Sequence, residues 1–282
     1  MKNATQLKAL VKNIAKDKGI SAQIIMQNYM LERLLERISI SKYKSNFIIK
    51  GGFLIAAIVG LDTRATMDLD ATIKGLPVNE DSLLQIFTEI CEVQIDDNIT
   101  FNLKRSDAIR ENDEYKGMRV SFEAIYPPMA VPLKIDITTG DKITPREIIY
   151  EFNLLFEPRK INVLAYNLES ILAEKLETII SRGDQNTRPR DFYDIFILNK
   201  LQWQNIDIEI LKNALYSTAE KRKTEHIIPR YTEILETIMK STMMNNHWKS
   251  YQKDFDYAKD IDFIDVCHTI KKIMTIITSS DN

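Results

Sequence analysis

Cysteine and histidine are scarce in this sequence. The 282 residues contain two cysteines, Cys91 and Cys267, and three histidines, His226, His247 and His268. None falls at a spacing that makes a zinc or catalytic cluster. The two cysteines sit far apart and read as buried, reduced thiols of a cytoplasmic protein. No run of about 18 apolar residues occurs, and the N-terminal segment has no continuous apolar stretch, so neither a membrane span nor a secretory leader is expected. Fixed-period repeats and low-complexity segments are missing as well. The formal net charge is only −2, so any contact with nucleic acid must be a local patch. What remains, 44% hydrophobic and 28% charged, suits one or two domains with a real core.

Glycine is sparse too, and two of the eight stand side by side. The stretch from Lys50 to Asp70 reads KGGFLIAAIVGLDTRATMDLD: a diglycine, Gly51 and Gly52, an apolar run from Phe53 to Val59, a loop with Arg64 and Thr66, then Asp68 and Asp70. In an extended segment residues i and i+2 share a face, so Asp68 and Asp70 project together while Met67 and Leu69 face a core. Two adjacent carboxylates repel, and either a proton or a divalent cation relieves them. Magnesium suits such a pair because it takes oxygen ligands, keeps some waters and bridges carboxylates to phosphates. Without Cβ atoms, Gly51 and Gly52 let the backbone approach a triphosphate, and a following helix adds its N-terminal dipole. The ordinary alternative is a turn followed by the wet edge of a strand.

Elsewhere the pattern alternates between the two periods. Helices are expected over residues 4–17, stopped by Gly19, and from a Ser21 cap to about Ile38. Phe47 to Lys50 reads as a strand, Phe53 to Gly60 as a helix and Met67 to Lys74 as the strand carrying the carboxylates. Asp81 to Val93 suits a helix with Leu84, Ile86, Phe87 and Ile90 inward. Ile99 to Leu103 and Met118 to Tyr126 read as strands, with SDAIRENDEYKG looping between them. Leu133 to Thr138 alternates with Lys134, Asp136 and Thr138 on one face, where Asp136 could simply face water.

After Pro145 the composition changes. Residues 150–165 read as a closing strand pair, and from an Asn167 cap onward the pattern is helical. The expected plan is α+β: a domain over 1–165 with a mixed sheet and N-terminal helices, then a helical bundle over 166–282. Lys175 and Arg182 are two turns apart on one helix, a candidate triphosphate clamp or a solvated pair. Pro189 opens the next helix, with Asp191 and Asp194 three apart and Phe192, Ile195 and Phe196 facing the core. Further helices are expected over 206–219, 230–244 and 258–277, with Ile264 among their core residues. The segment from Glu220 to His226 is locally basic, most simply a solvated face; Arg222 and His226 lack the spacing of HEPN-type ribonucleases.

K-G-G at Lys50–Gly52 and R-x-T-x-D-L-D at Arg64–Asp70 are followed in order by K-x-D-I at Lys134–Ile137, K-x6-R at Lys175 and Arg182, and R-D-x-x-D at Arg190–Asp194. Together they resemble the motifs of the AbiEii/AbiGii nucleotidyltransferase toxins, within the DNA polymerase β-like nucleotidyltransferase superfamily. The resemblance covers roughly residues 45 to 200. It implies a polymerase β-like nucleotidyltransferase domain in which Asp68 and Asp70 are catalytic and hold magnesium, with Asp136 completing the metal site. It implies nucleotide contacts from Lys50, Gly51, Gly52, Arg64, Thr66 and Arg182. Lys175 would neutralise the β- and γ-phosphates, and Asp191 would orient Lys175 or act on the acceptor. Arg190 and Asp194 are secondary candidates. The Thr66 hydroxyl would lie in the catalytic pocket, a candidate for inactivating modification. The implied donor is GTP or a pyrimidine triphosphate and the implied acceptor is tRNA. The implied setting is a toxin–antitoxin or abortive-infection system with a separate antitoxin protein. A small-molecule or protein hydroxyl as acceptor, or a non-catalytic nucleotide-binding module, are the alternatives. One departure stands out: many relatives follow the diglycine with Thr or Ser, and here Phe53 and Leu54 take those places.

Overall fold

The computed structural model describes residues 3–109 and 117–279, which divide into two compact units: those up to Asp141 with Ile148–Ala165, and Lys142–Glu147 with those from Tyr166 onward. In the first unit, helix α1 (Ala4–Lys18) starts where the Asn3 side chain accepts the Gln6 N–H at 2.9 Å and ends at left-handed Gly19. Ser21 caps α2 (Ala22–Ile40) in the same way, accepting the Ile24 N–H at 3.2 Å. Strand β1 (Phe47–Lys50) runs straight into α3 (Gly51–Val59), so the diglycine is the first turn of the helix itself. Strand β2 (Leu69–Ile73) begins one residue after Asp68, and Met67, expected to face the core, is 42% exposed. Its pairing with β1 runs from Phe47↔Ile73 to Lys50↔Asp70, so the chain before Leu69 has no partner strand to impose alternation on it.

Asn79 caps α4 (Glu80–Cys91), which buries Leu83, Ile86, Phe87 and Ile90; the inward residue of the first turn is Leu83 rather than Leu84, because 83, 86, 87 and 90 are the positions that share one helical face. Strands β3 (Thr100–Ile109) and β4 (Gly117–Tyr126) form a long antiparallel pair. The polar segment expected to loop from Ser106 is therefore strand as far as Ile109, and its remainder, 110–116, lies outside the described residues. Strands β5 (Met129–Thr139), β6 (Ile148–Asn153) and β7 (Lys160–Ala165) complete one seven-stranded sheet in the order β3-β4-β5-β2-β1-β7-β6. The β2–β5 and β1–β7 pairs are parallel and the rest antiparallel, so the sheet is mixed.

The second unit is helical. Helix α5 (Leu168–Arg182) is capped by Asn167, which accepts the Ser170 N–H at 2.7 Å. Pro189 sits at the start of α6 (Pro189–Gln202), where its missing N–H leaves no bond unmade. Then come α7 (Ile208–Arg222), α8 (Tyr231–Lys240), α9 (Thr242–Asp254) and α10 (Phe263–Ser279). The single helix expected over 230–244 is two, because Ser241 turns extended and its hydroxyl caps the Met244 N–H at 3.3 Å. Ile264 is exposed rather than core, while Phe263, Val266, Cys267 and Ile270 are buried; Phe196 is only half-buried. Burial pushes the Cys91 thiol up to about 11 and that of Cys267 up to about 12, which keeps both protonated at neutral pH. Among the described residues no helix is long and apolar enough to cross a membrane.

Helix α2 departs furthest from its pattern. Its apolar stripe is buried, but so are Glu32, Arg33, Glu36 and Arg37, the first two only 1% exposed. These charges serve as anchors for segments distant in sequence. Arg37 forks onto Asp97 at 2.7 and 2.9 Å and donates to the Ile99 carbonyl at 2.7 Å. Glu32 accepts the Leu155 N–H at 2.6 Å and pairs with Arg33 at 2.6 Å, and Glu36 pairs with Arg33 and Arg159. Desolvation raises the Glu32 carboxyl to about 7 despite Arg33 beside it. Its folded value lies above its unfolded one, so its contribution to stability is fully present at low pH and is lost as pH rises through about 7. Glu32→Gln should therefore gain on wild type between pH 5 and pH 8, by on the order of 2 kcal/mol, read from denaturant unfolding at each pH. A difference independent of pH would contradict this account.

Candidate active site

Gly51 opens α3 with φ +66, a conformation L side chains rarely adopt. A Cβ there would lie 2.2 Å from Asp70 Oδ2, so the Asp70 carboxylate rests directly against the helix start. A Cβ on Gly52 would meet Arg64 Nη2 at 2.9 Å and Thr66 Oγ1 at 3.2 Å. The loop after α3 thus folds back over the first turn of its own helix. Asn28 of α2 pins that loop, donating to the Thr66 carbonyl at 2.6 Å and to the Ile24 carbonyl at 2.9 Å. Arg64 is buried and donates to the Ala65 carbonyl. Phe53 and Leu54 point into the core, with Phe53 stacked on Phe152 at 5.5 Å. What this turn can offer an anion is therefore the backbone N–H groups of a helix start.

The sheet register sets a row of charges across one face. Lys50 of β1 is opposite Asp70 of β2, Asp70 is opposite Asp136 of β5, and Asp136 is opposite Arg119 of β4. Cross-strand partners point to the same side, so the two carboxylates are neighbours with a cation on each flank. Arg119 forks onto both Asp136 oxygens at 2.7 Å each, and this pairing holds its guanidinium pKa above the ordinary arginine value. Lys50 Nζ donates to Asp141 Oδ2 at 2.5 Å, and Thr138 Oγ1 donates to the same oxygen at 2.6 Å. Asp68, just outside β2, is exposed.

Arg119 and Asp141 escape a reading of the sequence. Thr138 shares the Asp136 face by alternation, but nothing local marks Asp141, beyond the end of the strand, or says which residue of β4 lies opposite Asp136. A cavity of about 180 Å³ opens in the same unit against Asn28, Phe53, Leu61 and Phe152. None of the carboxylates lines it.

Among the described residues no group of three or more acids, histidines or cysteines is arranged around a common point for a metal. Magnesium does not need one, since it is commonly held by one or two carboxylates and completes its shell with water and substrate phosphate. Asp70 beside Asp136 supplies such an all-oxygen set, and the absent Cβ of Gly51 gives Asp70 its room. The residues fit the ion, which would share the Asp136 carboxylate with Arg119.

The second unit carries its own cluster. Lys175 of α5 donates to Asp191 at 2.8 Å and pairs with Asp194 at 2.7 Å, both on α6. Burial alone would lower the Lys175 pKa, but the two carboxylates together hold it above the ordinary lysine range. Arg182 does not share this environment: it is exposed in the last turn of α5, and Arg190 is exposed as well.

A helix opening on a diglycine against a mixed sheet, with a carboxylate pair across adjacent strands, is the arrangement of a nucleotidyltransferase. The profile of the AbiEii nucleotidyl transferase toxins of type IV toxin–antitoxin systems matches residues 33–271, and the chain belongs to that family. Solved structures similar to it include a candidate nucleotidyltransferase from H. pylori, 15% identical with a TM-score of 0.49 over 93% of this chain and 97% of that one. JHP933 from Helicobacter pylori is 14% identical, with a TM-score of 0.49 over 92% and 94%. An antigenic nucleotidyltransferase-like protein from Paracoccidioides brasiliensis is 15% identical, with a TM-score of 0.34 over 83% and 94%. No curated protein sequence matches the chain closely enough to count as a relative.

Two pairs of substitutions separate packing from backbone and charge from fold. Gly19 and Gly51 share a left-handed φ, but a Cβ on Gly19 meets nothing within 4 Å. Gly19→Ala should lower unfolding stability by about 1–2 kcal/mol, and Gly51→Ala by clearly more; equal losses would show that Asp70 moves aside freely. Lys175→Met strands two buried carboxylates and should lose about 3 kcal/mol or more, whereas Asp191→Asn, which keeps the Asp194 pair, should lose less. Denaturant midpoints read both.

Proposed function

We propose that this chain transfers a nucleotidyl group from a nucleoside triphosphate to a tRNA hydroxyl, and that the modification arrests growth unless a separate antitoxin protein intervenes. The acceptor oxygen forms a bond to the α-phosphorus, the bond from that phosphorus to the bridging oxygen breaks, and pyrophosphate leaves with the displaced charge. The hydroxyl proton passes to a carboxylate oxygen or to water. The observation that carries this reading is the Asp70–Asp136 register pair beside the Gly51 turn, in a chain of this family.

In this reading Asp68, Asp70 and Asp136 hold magnesium, which when bound lowers the pKa of the attacking hydroxyl and offsets phosphate charge. Gly51 and Gly52 present backbone N–H groups to the triphosphate. Lys50, fixed by Asp141, lies at the same end of the carboxylate row, and Arg64 and Thr66 border the turn. Lys175 is assigned to the β- and γ-phosphates and Asp191 to its orientation, with Asp194 sharing the ammonium and Arg182 and Arg190 as further phosphate contacts. Family membership is the support for those helical-unit assignments. GTP or a pyrimidine triphosphate is the proposed donor, and the cytoplasm the proposed compartment.

Purified protein incubated with each α-labelled triphosphate, magnesium and total bacterial tRNA should label tRNA, and Asp70→Ala should abolish the label. Label in neither RNA nor protein, with the triphosphate still bound, would exclude the tRNA reading.

A further inference from the structure

The charge row has a direction. The helix start that offers N–H groups to a triphosphate lies beside Lys50 and Asp70, at one end. Arg119 lies beyond Asp136 at the other, three strand spacings or roughly 14 Å from Lys50 across the sheet. In a displacement at phosphorus the attacking and leaving oxygens are in line, so a donor held at the Lys50 end leaves the Arg119 end to the acceptor. Arg119 now holds both oxygens of Asp136, and a divalent cation on that carboxylate would compete with it for them. The other carboxylates whose charge reaches Arg119, Asp68 and Asp70, are assigned to the same cation, so the guanidinium would stand beside that cation with its neighbouring anions shared.

Such a position calls for a second anion. A guanidinium presents a planar fork that fits phosphate as well as carboxylate, and its side chain, 38% exposed, is accessible from solvent. We infer that Arg119 exchanges Asp136 for the phosphodiester adjoining the attacking hydroxyl, so that the acceptor is the end of a nucleic-acid strand. A neutral small molecule or a serine hydroxyl brings no anion to that place. The inference rests on the nucleotidyl-transfer reading, and it makes Arg119 both a competitor of the cation for Asp136 and a contact that selects the acceptor.

The test uses the full chain as wild type, Arg119→Gln and Arg119→Lys. One arm measures Mn2+ binding without nucleotide, from the electron paramagnetic resonance signal of the free ion. The other measures binding of a short RNA with a free 3′ hydroxyl, with Mg2+ and a non-hydrolysable triphosphate present. Its last linkage is either phosphodiester or neutral methylphosphonate. Arg119→Gln should bind Mn2+ about tenfold tighter, as expected when one ion pair no longer competes. Wild type should prefer the charged linkage by about tenfold, Arg119→Gln should show no preference, and Arg119→Lys, a charge without a fork, should recover part of it. Wild type that binds Mn2+ and triphosphate, alongside Arg119→Gln with unchanged Mn2+ affinity or a retained linkage preference, overturns the role of Arg119 alone. Wild type that binds neither Mn2+ nor triphosphate overturns this inference and nucleotidyl transfer together.

Discussion

The parallel pairing of β2 with β5 places Asp70 directly beside Asp136, and two carboxylates at one strand spacing repel unless something positive accompanies them. Much of the first unit can be understood as the accommodation of that pair. Lys50 and Arg119 flank it from β1 and β4. Gly51 gives up its side chain so that Asp70 can lie against the start of α3, and Gly52 makes room for Arg64 and Thr66. Asp141 and Thr138 in turn fix the Lys50 ammonium. Each of these residues answers to its neighbour's charge or volume, which is why they stand or fall together.

The same principle recurs in two further places with different consequences. In α2 the buried Glu32, Arg33, Glu36 and Arg37 tie the helix to Asp97, Leu155 and Arg159; these bonds join segments far apart in sequence and serve the fold. In the second unit Lys175 is shared by Asp191 and Asp194, a buried trio with one more negative than positive charge. A buried ion set of this kind gives little net stability, and removing one member is severe. Loss of activity in a Lys175 variant therefore speaks about chemistry only once its folding has been measured.

Membership of the AbiEii family and the charge row lead to the same chemistry by independent routes. The family supplies the class of reaction. The row supplies an order of charges from Lys50 to Arg119, which ordered motifs along a chain do not contain. The aromatic packing around Tyr193, Tyr251 and Trp248 and the buried Cys267 belong to the scaffold.

Much of this was legible in the residues alone. The caps at Ser21 and Asn167, the helix start at Pro189, the left-handed stop at Gly19, the diglycine turn and the strand alternation around Asp136 depend on a few neighbouring residues, so short-range sterics and hydrogen bonding determine them. The motif order likewise included Asp70 and Asp136, which are neighbours in the sheet, and separately Lys175, Asp191 and Asp194, which pair between α5 and α6, but also Arg182 and Arg190, which are exposed outside that cluster. Tertiary structure alone decided that Arg119 faces Asp136, that Asp141 holds Lys50, that Met67 lies outside the strand and that four charges of α2 are buried. Those outcomes depend on strand register and on partners dozens of residues away, and a repeating local pattern is the same whichever partner it meets.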